Sequence, residues 1–179
     1  MMRYLFLLAL LTAACRPAPE AAAGGPLAVP DTVRVVDYDF SAPAHRYDLP
    51  RALQEISGLT VLDARHLGAV QDEDGDLFTI NIETGAVDKR RFAKRGDFEG
   101  LANADGRVFA LRTDGKLYEL IDWRAEEIED REHETKLDER YDPEGLTYDA
   151  ANNRLLVICK EFAGKGYEGM KAIYAFDLG

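Results

Sequence analysis

Between residues 46 and 179 the apolar positions fall in short runs of about five or six, each closed by a turn containing Gly. One stretch sets the pattern. Gly100-Leu101-Ala102 opens a run, Asp105-Gly106 interrupts it, Val108–Arg112 resumes it, Asp114-Gly115 interrupts again, and Lys116–Ile121 follows. Asp-Gly between apolar runs predicts tight antiparallel hairpins, because Gly takes the positive φ that a type I′ turn demands. Upstream the same order recurs as Leu67–Gln71, Glu73–Gly75 and Leu77–Ile82, with Thr84-Gly85 ending the strand and Ala86–Phe92 predicted as a fourth. Downstream, Leu155–Cys159 and Ile173–Phe176 take the equivalent places around a Gly-rich insertion at Gly164–Gly169.

Each set begins with a small acidic signature: Glu55-Ile56-Ser57-Gly58-Leu59, Asp97-Phe98-Glu99-Gly100-Leu101 and Asp142-Pro143-Glu144-Gly145-Leu146. Their glycines stand 42 and then 45 residues apart. Short strands in fours at such a period predict the blades of a β-propeller. The charge-dense stretch Ala125–Arg140 tests this reading. Its i,i+4 pairs Glu127–Arg131 and Glu132–Lys136 would support an exposed helix. Its place in the repeat matches Ala86–Arg95, however, so an outer edge strand plus a charged loop is predicted.

The expected fold is therefore all-β: a partial propeller of about three four-stranded antiparallel blades, spanning roughly 46–96, 97–141 and 142–179 of a domain covering 32–179. Propellers close with roughly four to eight blades. An open one leaves bare blade faces and a free sheet edge. A truncated chain, a degraded gene or a second chain completing the ring would each account for the count, and truncation is the favoured expectation.

The first residues belong to another category. Tyr4–Ala14 is uncharged and apolar, preceded by Arg3 and ending in small residues, and is too short to span a bilayer. This predicts a signal peptide over 1–14. Thr12-Ala13-Ala14-Cys15 resembles a bacterial lipobox, in which Cys15 is acylated and becomes the mature N-terminus, although an aliphatic residue usually stands where Thr12 does. A plain signal peptide with an incidental Cys15 is the alternative. Residues 15–31, rich in Pro, Ala and Gly, have little to bury and read as a tether. Arg16 beside the cysteine favours the outer membrane over the plasma membrane under the usual sorting rule. The expected location is the bacterial cell envelope, with a lipid anchor in the membrane.

Charge narrows the partners. The chain carries 22 basic and 33 acidic residues, a net −11, and loss of Arg3 with the signal makes it −12. Nucleic acid and anionic headgroups call for clustered Lys and Arg. The single basic cluster, Lys89-Arg90-Arg91 with Lys94-Arg95, is short and predicted to be a solvated outer strand, so no nucleic-acid partner is expected. With Cys15 acylated, Cys159 is the remaining thiol, sitting in an apolar run as a small buried residue.

The repeat signatures together resemble the SdiA-regulated (YjiK-like) family from about Arg46 onward. The matching pieces are LQEISGLTVL, AVQDEDGDLFTINIETG, GDFEGLA, VFALRTDGKLYEL, YDPEGLTYD, NNRLLVICK and AIYAFDLG, in that order. The resemblance implies a six-bladed propeller in the bacterial envelope, of which about half is represented here. It also implies that Tyr47-Asp48-Leu49 is the strand that pairs with a last blade.

Glu99 and Glu144 share one repeat position, just before Gly-Leu, and Ser57 holds it in the first blade with Glu55 two residues earlier. In a propeller that position lies near the channel mouth. Converging carboxylates suit Ca²⁺, which takes six to eight oxygen ligands, and related phytase-like and strictosidine-synthase-like propellers imply calcium in comparable places. Glu55, Glu99 and Glu144 are thus the candidate metal ligands. The alternative is that each acid accepts backbone N–H bonds at a blade corner, the reading preferred for Asp97 and Asp142. Asp72–Asp76 falls short of an EF-hand loop and reads as a turn, with Asp72 able to face the channel mouth. Arg112 and Lys160 end second strands and are candidates for pairing with those acids or with an anionic ligand. His45, His66 and His133 read as surface or loop residues. No Gly-x-Ser-x-Gly, His-Glu-x-x-His or phosphate-binding loop occurs.

Two functions follow. The favoured one is a noncatalytic envelope lipoprotein whose propeller binds a ligand or protein partner, with calcium as the candidate cofactor. The other is a calcium-dependent hydrolase, phytase-like or esterase-like, which would need a metal, an activated water and a base together.

Overall fold

The computed structural model describes residues 40–179, of which Ala44–Gly179 form one compact unit. A short 3₁₀ turn, Arg51–Leu53, precedes the strands. Strands β1 (Ile56–Val61), β2 (His66–Gln71), β3 (Asp76–Asn81) and β4 (Val87–Arg91) form one antiparallel sheet in chain order. Strands β5 (Phe98–Ala104), β6 (Arg107–Arg112), β7 (Leu117–Ile121) and β8 (Glu129–His133) form a second. The third sheet has three strands, β9 (Pro143–Asp149), β10 (Arg154–Cys159) and β11 (Ala172–Asp177), in the order β9-β10-β11. This is a propeller-like arrangement of three blades, with no α-helix among the described residues. The acidic stretch after residue 125 supplies the exposed outer strand β8.

Turn chemistry explains the hairpins. Asp105 and Gly106 both have positive φ, 51° and 95°, as a type I′ turn between β5 and β6 requires. Asp114-Gly115 differs, because only Gly115 is left-handed. The Asp114 carboxylate accepts the Lys116 N–H at 3.2 Å, and the Gly115 N–H reaches the Arg112 carbonyl at 2.9 Å. Tyr47–Leu49 joins no sheet; Tyr47 Oη donates to the Ile82 carbonyl at 2.6 Å instead.

The core lies between blades. Val70, Leu77, Phe92, Phe98, Leu101, Val108 and Tyr118 fill the joint between the first and second sheets. Phe92, Phe98 and Tyr118 meet edge to face at 5.0 and 5.3 Å, each such pair contributing about 0.5–1.5 kcal/mol beyond its buried area. Phe109, Leu111, Leu117, Leu137, Leu155 and Val157 fill the second joint. Burying each such large side chain stabilises the fold by about 1.5–3 kcal/mol.

The signature glycines make the joints possible. A Cβ on Gly58 would lie 2.9 Å from the Leu101 nitrogen of the next blade, and one on Gly100 would lie 2.6 Å from the Leu146 Cβ. Each glycine therefore opens a notch that receives the Leu of the following signature. Polar ties reinforce the contact. Asn103 Nδ2 donates to the carbonyls of Val61 and Leu62 at 2.9 and 3.0 Å, and Tyr148 Oη donates to Asp105 at 3.1 Å.

Candidate functional site

Each innermost strand carries an irregularity at the same place. Pairing skips from Ile56 to Gly58 on β1, from Phe98 to Gly100 on β5, and from Pro143 to Gly145 on β9. The skipped residues are Ser57, Glu99 and Glu144. A bulge of this kind leaves one residue outside the ladder and re-aims its side chain. The three homologous positions are thus freed from sheet pairing at the same end of adjacent blades.

Ser57 spends its freedom on structure, donating from Oγ to the Phe98 carbonyl of the next blade at 2.5 Å. Glu99 is half-buried, and its carboxyl is pushed up to about 7. Burial is the main cause, followed by a hydrogen bond with Asp97 and the negative charges of Asp97, Glu144 and Asp72. Carboxyl groups from three consecutive blades therefore act on one another at this end of the inner strands. Glu144 is partly neutralised: its Oε1 accepts a bond from Lys160 Nζ at 2.6 Å, and Asp142 stands 3.9 Å from the same ammonium. That pairing raises the Lys160 pKa.

The six sequence-level candidates among the described residues fall into two groups. Glu99, Glu144, Asp72 and Lys160 come together. Glu55 does not join them; it is exposed and lines a cleft of about 330 Å³ on the first blade, with Arg51, Gln71, Glu73 and Lys89. Arg112 turns its guanidinium onto Asp114, with contacts of 3.0 and 2.5 Å, and stacks 5.1 Å from the Tyr118 ring centre. Asp97, expected to accept backbone N–H groups, has its carboxyl within hydrogen-bond reach of Glu99. Cys15 lies outside the described residues, as do the signal segment and the tether. Among the described residues no three His, Cys, Asp or Glu side chains are set to hold a metal ion. A calcium ion would have to draw the carboxylates together.

Other groups serve the fold. Cys159 is fully buried, and burial, with Asp142 nearby, pushes its thiol up to about 11, the reverse of an activated nucleophile. The basic run on β4 is occupied by acids: Lys89 and Arg91 flank the buried Asp76 at 3.0 and 3.2 Å, and Arg90 pairs with Asp88. His66 lies on β2 against Asp63 at 2.9 Å, and His133 lies on β8, rather than in loops.

Sequence reading missed a second charged group. Glu119, buried on β7, receives Arg107 at 2.8 Å, His133 at 3.0 Å and Arg131 at 3.4 Å. The Arg107 bond, aided by His133, lowers its pKa. The signal was present: an acid inside the five-residue strand Leu117–Ile121, opposite a strand rich in charge.

No described helix is long and apolar enough to cross a membrane. No protein-family model matches the chain, and no curated protein does. Among solved structures, the chain is similar to a selenomethionine-substituted virginiamycin B lyase from Staphylococcus aureus, with a TM-score of 0.48 and 12% identity. The match covers 73% of this chain and 44% of the lyase, so the chain spans less than half the length of that structure.

Proposed function

We propose that the chain is a noncatalytic binding propeller of the SdiA-regulated type, held at the bacterial cell envelope through Cys15, whose ligand or partner engages the acidic bulge cluster with a cationic group. The observation that carries this reading is the gathering of Glu99 with Asp97, Glu144 and Asp72: burial first, and then these three neighbouring carboxyl groups, hold on Glu99 a proton that a solvated glutamate would release. A cation placed there would relieve the repulsion. Calcium fits the chemistry of the donors, which are hard carboxylate oxygens. Glu99 and Glu144 would hold it, with Asp97 and Asp72 beside them and Lys160 displaced from Glu144. The hydrolase reading finds a base in Glu99, whose carboxyl is pushed up to about 7, but the hydroxyl of Ser57 beside it is committed to the Phe98 carbonyl.

Calorimetric titration of CaCl₂ into the protein at pH 7.5 tests the calcium form. Saturable heat is expected, with proton release as Glu99 ionises, and at least tenfold weaker binding in Glu99→Gln and Glu144→Gln. Absence of heat in the wild type removes calcium. A cationic-ligand reading then stands or falls on whether spermidine shifts the carboxyl signal of Glu99 in a ¹³C spectrum.

A further inference from the structure

The same three positions can be followed through all three blades, and the exposure changes abruptly at the ends. On the face that each blade turns to its successor, a row runs outward from the signature glycine: Gly58–Val70, continued by Leu77 one step past the Ala69–Phe78 pair, Gly100–Leu111–Leu117 and Gly145–Ile158–Ile173. Val70 and Leu111 are 0% exposed because the next blade covers them, whereas Ile158 is 49% and Ile173 64% exposed. On the opposite face the homologous leucines behave in mirror fashion. Leu101 is buried in the notch of Gly58, and Leu146 sits over Gly100, but Leu59 is 58% exposed and Val61 beside it 61%. A Cβ on Gly145 would meet only Ile158 of its own sheet. Among the described residues, then, there is one vacant notch, on blade three, and one unseated leucine, on blade one.

These are the two halves of a joint the chain already builds twice. We propose that a second copy of this chain completes it: blade three of each copy receives blade one of the other, giving two equivalent joints and a six-bladed ring. Three considerations select this occupant. The vacant faces have the residue types and register of the occupied ones, so the contact continues an established interface. The pairing is head to tail, and such pairings form closed rings when the rotation between copies allows; twice three blades falls within the range at which propellers close. The rows are apolar, and the charges beside Ile158 are Glu144, paired with Lys160, and Lys171, so the net charge of the chain is not concentrated on the joint. Ring closure would also remove the apolar surface that a single copy leaves in water.

Native mass spectrometry of the processed chain beginning at Cys15, released from mild detergent, provides the test. The wild type is expected at twice the mass of one chain. Leu59→Asp and Ile173→Asp, each at a position exposed within one copy, should each fall to a single mass while keeping the wild-type circular dichroism. An equimolar mixture of the two should recover part of the doubled species, because one of its two joints contains neither substitution. That recovery also shows that both variants are folded. A wild type of single mass, an open-ended series of larger species, a doubled species that survives Leu59→Asp, or a mixture that stays single would each overturn the proposal. A single mass would point to blades supplied by a different chain.

Discussion

At the scale of single residues, Glu99 and Cys159 show how placement sets chemistry. Glu99 holds its proton to about pH 7 in the fold, against an ordinary value of 4.5. The folded state therefore binds more protons between those values, and its stability falls as pH rises through that window, with the full penalty present above 7. Glu99→Gln removes the ionisation. It is expected to raise the thermal midpoint at pH 8 in chelator and to leave it nearly unchanged at pH 4; equal effects at both values would contradict the assignment. The sequence made Glu99 and Glu144 legible as candidates because they precede Gly-Leu in each repeat. It did not reveal that Asp97 would lie within hydrogen-bond reach of Glu99 or that Glu55 would stay apart. The ladder slips by one residue at Glu99, and no side-chain pattern in the sequence announces a bulge.

At the scale of elements, the strands and hairpins were readable because alternating apolar runs and Asp-Gly turns act locally. The β8 strand was readable despite its charges because the repeat fixed its place. What escaped was the identity of buried charge, such as Glu119 and Asp76, since an acid within a strand reads as solvent-facing until its cationic neighbours on the adjacent strand are known. The notch glycines are the elements' most sensitive points. Gly100→Ala would force a Cβ within 2.6 Å of the Leu146 Cβ and 3.0 Å of its backbone nitrogen. Relieving that overlap should cost about 1–3 kcal/mol in urea denaturation. Gly166→Ala, at an open loop position, meets nothing within 4 Å and strains only its φ of 89°, so the loss there should be smaller, about 1–2 kcal/mol at most. A Gly100→Ala variant as stable as the wild type would show that the sheets separate easily.

At the scale of the whole molecule, the second blade is the only one with a packed joint on both sides among the described residues. Within a single copy, amide exchange should accordingly be slowest in Val108–Leu111, whose side chains are almost wholly buried, and faster in β9 and β11, one face of which no other blade of that copy covers. The Leu59→Asp variant should show this gradient most clearly, and uniform protection across its three sheets would argue for a single cooperative body. The repeated slip in the inner strands has a consequence for how such a fold can vary at its rim. Because the offset residue contributes nothing to the ladder, its identity can vary blade by blade while the scaffold stays as it is. Serine there becomes a rivet to the neighbouring sheet, and glutamate becomes a charge presented at the rim. Three interchangeable sockets of this kind let a common frame display very different lips.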